Sequence, residues 1–268
     1  MSTLVNGDLT ESISALDRGL AYGDGLFETV AVRAGQPLLW SAHIERLLLG
    51  CSRLKITPPN VKQLCLEAEQ LCQQDDGVLK IVVTRGVGRR GYAPFDCEPT
   101  RIVSFAKQPR REINAPARIR VRLCQSRLSI NPQLAGIKHL NRLEQVLARA
   151  EWDDDRIAEG IICSVAGEVI EGVSSNLFVV QDGVLLTPDL SQCGVAGVMR
   201  AQVIQEAKKM DVKCQISQIT LNDLHQADEV LLCNSLTGIR VVKQCEGLVW
   251  PQVGEISQQL WQQLRPYW

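Results

Sequence analysis

Residues 108–117, Gln-Pro-Arg-Arg-Glu-Ile-Asn-Ala-Pro-Ala, interrupt an otherwise regular succession of strand and helix signals. The stretch is polar, holds Pro109 and Pro116, and has no hydrophobic period. It therefore reads as a linker rather than as a strand or helix. A chain of 268 residues is long enough for two cores. The spacing predicts a smaller N-terminal α/β domain over 1–107, a linker over 108–117 and a larger α+β domain over 118–268.

On the N-terminal side, Leu26–Arg33, Val78–Thr84 and Arg101–Ala106 read as strands. Ser41–Leu54 reads as a helix, because Ile44, Leu47, Leu48, Cys51 and Leu54 recur at helical spacing and Ser41 is a suitable N-cap. Val61–Gln73 is a second amphipathic helix. On the C-terminal side a strand over Ile119–Cys124 precedes a helix from Asn141 to Glu151. Four short strands follow, Gly160–Val165, Glu168–Glu171, Asn176–Gln181 and Val184–Thr187, with hairpin signals at Ala166-Gly167 and Asp182-Gly183. Then come a helix over Val198–Met210, strands at Glu229–Cys233 and Gly238–Val242, and a helix over Glu255–Leu264. Hairpins mixed with helices make the fold class α+β with two domains, not a doubly wound sheet.

Composition narrows the function. A net charge of −1 gives no bulk field for nucleic acid or an anionic membrane. No apolar run approaches the ~18 residues of a membrane span. Residues 1–15 carry Asp8 and Glu11 and no apolar signal segment, so a cytoplasmic location is expected. The ten cysteines are scattered without a Cys-x-x-Cys pair, and only three histidines are present. Reduced buried thiols and no metal centre are expected. The expected partner is a small-molecule substrate.

Several segments can carry chemistry. Gly86-Val-Gly-Arg-Arg-Gly91 matches a dinucleotide fingerprint, but Pro94 follows where the helix must start. It reads instead as a loop whose arginines suit carboxylates, or as a solvated basic loop. Lys138 follows Ala135-Gly-Ile and precedes a helix; it is a surface lysine or, if kept neutral, a nucleophilic amine. Glu171 ends a strand, as an exposed hairpin residue or as the partner of a cofactor ring nitrogen. Gly194-Val-Ala-Gly-Val-Met-Arg200 enters a helix whose first N–H groups, at Val198 and Met199, can receive a phosphate. Cys233-Asn-Ser-Leu-Thr237 is a polar turn offering Ser235. Arg46 lies roughly 200° from Ile44 around its helix, opposite the apolar stripe, so the pattern predicts exposure.

Taken together, Asp17-Arg-Gly-Leu-Ala-Tyr-Gly-Asp-Gly-Leu-Phe-Glu-Thr29, His43-Ile-Glu-Arg-Leu47, Arg85-Gly-Val-Gly-Arg-Arg-Gly-Tyr92, the Lys138 segment, Glu171-Gly-Val-Ser-Ser-Asn-Leu-Phe178, Gly197-Val-Met-Arg200 and Ala227-Asp-Glu-Val230 resemble the fold-type IV pyridoxal-phosphate enzymes. The resemblance spans nearly the whole chain. Within that group, Gly136-Ile-Lys-His-Leu-Asn-Arg-Leu-Glu-Gln145 and the Arg85–Tyr92 segment are most similar to the aminodeoxychorismate lyases. The rival within the group is an aminotransferase acting on D- or branched-chain amino acids. A non-catalytic binding protein on the same fold is the third reading.

The resemblance implies pyridoxal 5'-phosphate in a cleft between the two domains, the larger domain binding the cofactor, and a homodimer. It implies that Lys138 is the Schiff-base lysine and Glu171 the partner of the pyridine nitrogen. Arg46, Val198, Met199 and Ser235 would hold the phosphate, which for Arg46 replaces the exposed-face expectation. Arg90, Tyr92, Tyr22, Phe27 and Thr29 would face the substrate. The reaction implied is proton removal by Lys138 from the amine-bearing ring carbon, expulsion of the enolpyruvyl ether, and release of 4-aminobenzoate and pyruvate.

Overall fold

The computed structural model describes residues 1–109 and 113–268; residues 110–112, in the middle of the expected linker, lie outside the described residues. The chain forms two compact units. One joins Met1–Arg111 with Ile137–Asn141, and the other joins Glu112–Gly136 with Arg142–Trp268.

The first unit contains β1 (Ser2–Val5), β2 (Asp8–Leu9), α1 (Arg18–Tyr22), β3 (Gly25–Arg33), β4 (Gln36–Pro37), α2 (Trp40–Leu54), α3 (Val61–Cys72), β5 (Gly77–Val87) and β6 (Glu98–Lys107). Its antiparallel sheet has the order β2-β1-β6-β5-β3-β4. Side chains alternate across a strand, and the two faces differ sharply. Leu26, Val30, Leu79, Ile81, Val103 and Phe105 are buried, on the side where α2 lies against β3 and α3 against β5 and β6. Phe27, Thr29, Lys80, Val82, Ile102 and Ser104 share the other face and are half-buried or exposed.

Ser41 is not the N-cap of α2. Leu38 N–H is still bonded to Ala31 O, and Leu39, at φ 53°, turns the chain straight into the helix. Ser41 therefore falls inside the first turn. Asn60 caps α3, accepting from Lys62 N and Gln63 N at 3.0 and 3.2 Å.

The second unit contains β7 (Ala117–Leu128), α4 (Leu143–Arg149), β8 (Ile157–Ser164), β9 (Val169–Gly172), β10 (Asn176–Gln181), β11 (Val184–Pro188), α5 (Val198–Lys209), β12 (Cys214–Ser217), α6 (Leu221–Gln226), β13 (Glu229–Asn234), β14 (Gly238–Cys245), β15 (Leu248–Val249) and α7 (Glu255–Leu264). Its sheet runs β12-β11-β10-β13-β14-β7-β8-β9, and β9 also pairs with β10 through Glu171 and Asn176. β7 is parallel to both β14 and β8. One side of the sheet is packed by Ile119, Val121, Ile161, Leu177, Val230 and Trp250, the other by Cys124, Leu128, Ala148, Trp152, Ile162 and Ile170.

The helix expected over Asn141–Glu151 is shorter. Leu140 N–H bonds to Gly25 O and the Asn141 side chain reaches Gly23 O at 3.1 Å, so α4 starts only at Leu143. Among the described residues the cysteines are free thiols. Burial pushes the Cys233 and Cys245 thiols up to about 12, which leaves them unreactive packing groups.

Candidate active site

Lys138 belongs to the first unit, where its segment adds to the edge of β3. Phe27 N–H donates to Lys138 O at 3.0 Å, and His139 bridges Leu26. The preceding turn explains how the chain arrives there. Asn131 O accepts from both Leu134 N and Ala135 N, and Gly136 takes φ 81°, a conformation that favours glycine. Ile137 is fully buried and anchors the segment. Lys138 is half-buried, and its Nζ lies 4.4 Å from the centroid of the Phe27 ring. Phe27 and Thr29, two of the expected substrate-facing residues, share the sheet face on which Nζ lies.

Arg46 is not solvent-exposed as its helix position predicts; only 11% of its side chain is accessible. Its guanidinium is held by Glu28 of β3, with Nε to Oε1 at 2.8 Å and Nη2 to Oε2 at 2.5 Å. His43 Nδ1 lies 2.7 Å from the same carboxylate. Burial alone would push the Glu28 carboxyl up. The Arg46 charge and the hydrogen bonds from Arg46 and His43 outweigh it and hold the carboxyl below the usual range. The exposed-face expectation failed because helix periodicity does not see a carboxylate placed on the buried face of the neighbouring strand.

The other expected substrate-facing residues, Tyr22, Arg90 and Tyr92, sit on α1 and on the loop after β5. Arg85 Nε and Nη2 and Arg18 Nε all donate to Asp24 within 2.8 to 3.0 Å. Arg18 then donates to Gly91 O at 2.7 Å and Tyr92 O at 3.2 Å, and stacks 4.9 Å from the centroid of the Tyr22 ring. The Tyr22 and Tyr92 rings stand 5.3 Å apart. Tyr92 is 85% exposed and Arg90 is also exposed. No helix follows Gly86–Gly91, so the dinucleotide fingerprint has no structural counterpart there.

In the second unit Glu171 sits on β9, 4% exposed, and accepts from Val195 N at 2.8 Å. It is therefore not an exposed hairpin residue. Asn176 holds the same loop by donating to Val195 O at 2.7 Å. This loop leads into α5, whose N-cap Gly197 makes no side-chain capping bond. The first N–H groups of a helix have no acceptor within it, so those of Val198 and Met199 can meet an anion, although both side chains are buried. Ser235 lies half-buried in the turn between β13 and β14. Asn234 Oδ1 shapes that turn by accepting from Leu236 N and Thr237 N.

Four supporting residues were missed in the sequence reading. Glu28 and His43 stand behind Arg46, and Asp24 and Arg18 behind the Gly91–Tyr92 backbone. One signal was available for Glu28, which occupies the same strand parity as Leu26, Val30 and Val32.

The sequence pattern of the family described as amino-transferase class IV matches residues 25–245, from the first residue of β3 to the last of β14. The chain is 39% identical to the aminodeoxychorismate lyase of Vibrio harveyi, over 89% of each chain. It is 27% identical to a D-alanine aminotransferase of Listeria monocytogenes, over 92% of this chain and 89% of that one. The crystal structure of 4-amino-4-deoxychorismate lyase from Pseudomonas aeruginosa matches with a TM-score of 0.92 and 48% identity, covering 98% of each chain. With the Lys138, Glu171 and Gly197–Met199 segments all inside the matched span, the chain belongs to the amino-transferase class IV family.

Proposed function

We propose that this protein is a pyridoxal-phosphate-dependent lyase converting 4-amino-4-deoxychorismate to 4-aminobenzoate and pyruvate, a step towards folate. The observation that carries the reading is the 39% and 48% identity to two such lyases over nearly the whole chain, against 31% to a putative branched-chain-amino-acid aminotransferase and 27% to a D-alanine aminotransferase.

The residues present fit the cofactor part by part. A buried carboxylate (Glu171) suits a protonated pyridine nitrogen, an uncapped helix start (Val198, Met199) suits a phosphate, and a lysine against an aromatic ring suits an aldehyde. Arg46, fixed by Glu28, adds a cation for the phosphate, and Ser235 adds a hydroxyl. Bound pyridoxal phosphate supplies an aldehyde that condenses with amines and a ring that takes up negative charge.

Lys138 Nζ then removes the proton from the amine-bearing C4 of the substrate ring. Loss of that proton lets the neighbouring C–O bond break, and the ring becomes aromatic. Lys138 returns the proton to the methylene carbon of the departing enolpyruvyl group, giving pyruvate. Phe27 covers one side of Nζ and limits water there. Arg90 and Tyr92 receive a substrate carboxylate, and Tyr22 and Thr29 line the way to it.

The same reading places the smaller domain at 1–107, the linker at 108–117 and the larger, cofactor-binding domain at 118–268. It makes the protein a homodimer in the cytoplasm. Exposed Leu143, Val146 and Leu147 on α4 support an apolar interface, and unpaired thiols suit a reducing compartment. Sedimentation at about twice the 29.7 kDa chain mass tests the dimer.

The deciding experiment incubates the holoprotein with aminodeoxychorismate, and separately with D-alanine or branched-chain amino acids plus 2-oxoglutarate. Pyruvate and 4-aminobenzoate from the first mixture are expected. Amino transfer in the second with no product in the first would overturn the lyase.

A further inference from the structure

Aminodeoxychorismate carries two carboxylates, and Arg90 with Tyr92 accounts for one. Resting on the lyase reading, we propose that Lys80 binds the other and is a specificity-determining residue of the site.

The argument begins with parity on the first unit's sheet. Thr29 of β3 is in register with Lys80 of β5, which is in register with Ser104 of β6. Phe27, Val82 and Ile102 form the adjacent row. Lys80 is thus a single cation among the neutral side chains of these two rows. The same face presents the Lys138 amine: Nζ of Lys138 lies 4.4 Å, and Nζ of Lys80 5.7 Å, from the centroid of one ring, Phe27. The two nitrogens are therefore no farther apart than those two distances combined, a span that a single cyclic dicarboxylate bridges.

Charge pairing sets Lys80 apart. The other long cations on β5 and β6 have anionic partners, Arg85 with Asp24, Arg101 with Glu67 and Lys107 with Asp75. Among the described residues Lys80 has no carboxylate within ion-pair distance, and its side chain is exposed. The Lys80 ammonium lies over the Phe27 ring and is open to a carboxylate ligand, which it would hold through a charge-assisted hydrogen bond. An aminotransferase substrate with an apolar side chain would gain nothing from it, so the lysine also discriminates between substrates.

The test compares the wild-type holoprotein with Lys80→Gln and Lys80→Arg. Chorismate, which has both carboxylates but a hydroxyl in place of the amine, serves as a non-reacting probe for calorimetry. Lys80→Gln should weaken chorismate binding and raise the KM for aminodeoxychorismate by roughly 10- to 100-fold, with kcat changed far less. Its Lys138-dependent visible absorbance should persist, and Lys80→Arg should recover most of the binding. Inhibition by 4-aminobenzoate, which keeps only the ring carboxylate, tells the two carboxylates apart. If it weakens in parallel, Lys80 holds the ring carboxylate; if it does not, Lys80 holds the enolpyruvyl one. Chorismate binding and KM within twofold of wild type in Lys80→Gln overturn the assignment while leaving the lyase intact. A wild-type protein that makes no 4-aminobenzoate overturns the lyase reading itself.

Discussion

The Arg46 cluster and the Gly88–Tyr92 loop are both rich in arginine, both belong to the first unit, and are built in opposite ways. Arg46 is locked two-handed onto a carboxylate that is 1% exposed, with His43 against the same group. Arg90 and Tyr92 point outward, and what is fixed is their backbone, held by Arg18 at the carbonyls of Gly91 and Tyr92. The difference suggests a division of labour. A group that handles a constant ligand such as the cofactor phosphate tolerates rigid burial. Groups that read a variable substrate are hung from a fixed frame and left free at their tips. The loop can thus change its preference without disturbing the core, and the cluster cannot.

The largest effect is expected at Lys138. Under the proposed mechanism, Lys138→Ala should lower the rate of 4-aminobenzoate formation by at least ~10⁴-fold, since the lysine would be both the proton-transferring group and the covalent anchor. The visible absorbance of the holoprotein should vanish with it. A variant that retained a tenth of wild-type activity would show that the chemistry lies elsewhere.

Next in size is Glu28→Gln. It neutralises the buried carboxylate that Arg46 grips with two nitrogens, and breaking a buried pair from one side costs on the order of 3–5 kcal/mol. Urea unfolding should show this loss, and cofactor affinity should fall while pyridoxal lacking the phosphate binds as before. The pH dependence follows from the same pair. Because Arg46 and His43 hold the folded-state Glu28 carboxyl below its unfolded value, the stabilisation is complete above the ordinary glutamate range. It is lost as pH falls through the depressed folded-state value. Wild type should therefore lose its advantage over Glu28→Gln below about pH 4, as a pH series of unfolding curves would reveal.

These two regions also mark how far the sequence could be read. Elements with a helical period or a β-rich run bounded by turn residues were legible: α7 falls at Glu255–Leu264 as expected, and β10 at Asn176–Gln181. The two-residue strands β2, β4 and β15 and the short helices α1 and α6 carry neither signal and went unseen. The Lys138 segment was legible as chemistry but not as structure. Its pairing with β3 joins residues more than 100 positions apart, and no local pattern encodes such a contact. Glu28 was legible in principle, as a charged residue on the buried parity of a strand, which requires a buried partner. Nothing in the sequence could assign that partner to a helix face that reads as solvent-exposed.

On the loop side the effects should be smaller. Arg18→Lys keeps a cation beside Asp24 but cannot span the two carbonyls, so about 1–2 kcal/mol of loop fixation is lost. That predicts a several-fold rise in KM with kcat nearly unchanged, because in the proposed mechanism the loop orients substrate and does not touch the proton transfer. A matching fall in kcat would place Arg18 in the chemistry instead. The smallest effect belongs to Arg89, whose one ion pair among the described residues is with Asp96 at 3.1 Å, with the side chains 82% and 67% exposed. Screening by water and salt leaves such a pair worth less than about 0.5 kcal/mol. Arg89→Gln should therefore leave both the melting temperature and KM at wild-type values. A rise in KM there would mean that the loop reads its substrate with Arg89 as well as Arg90, and the boundary between its frame and its reading tips would move by one residue.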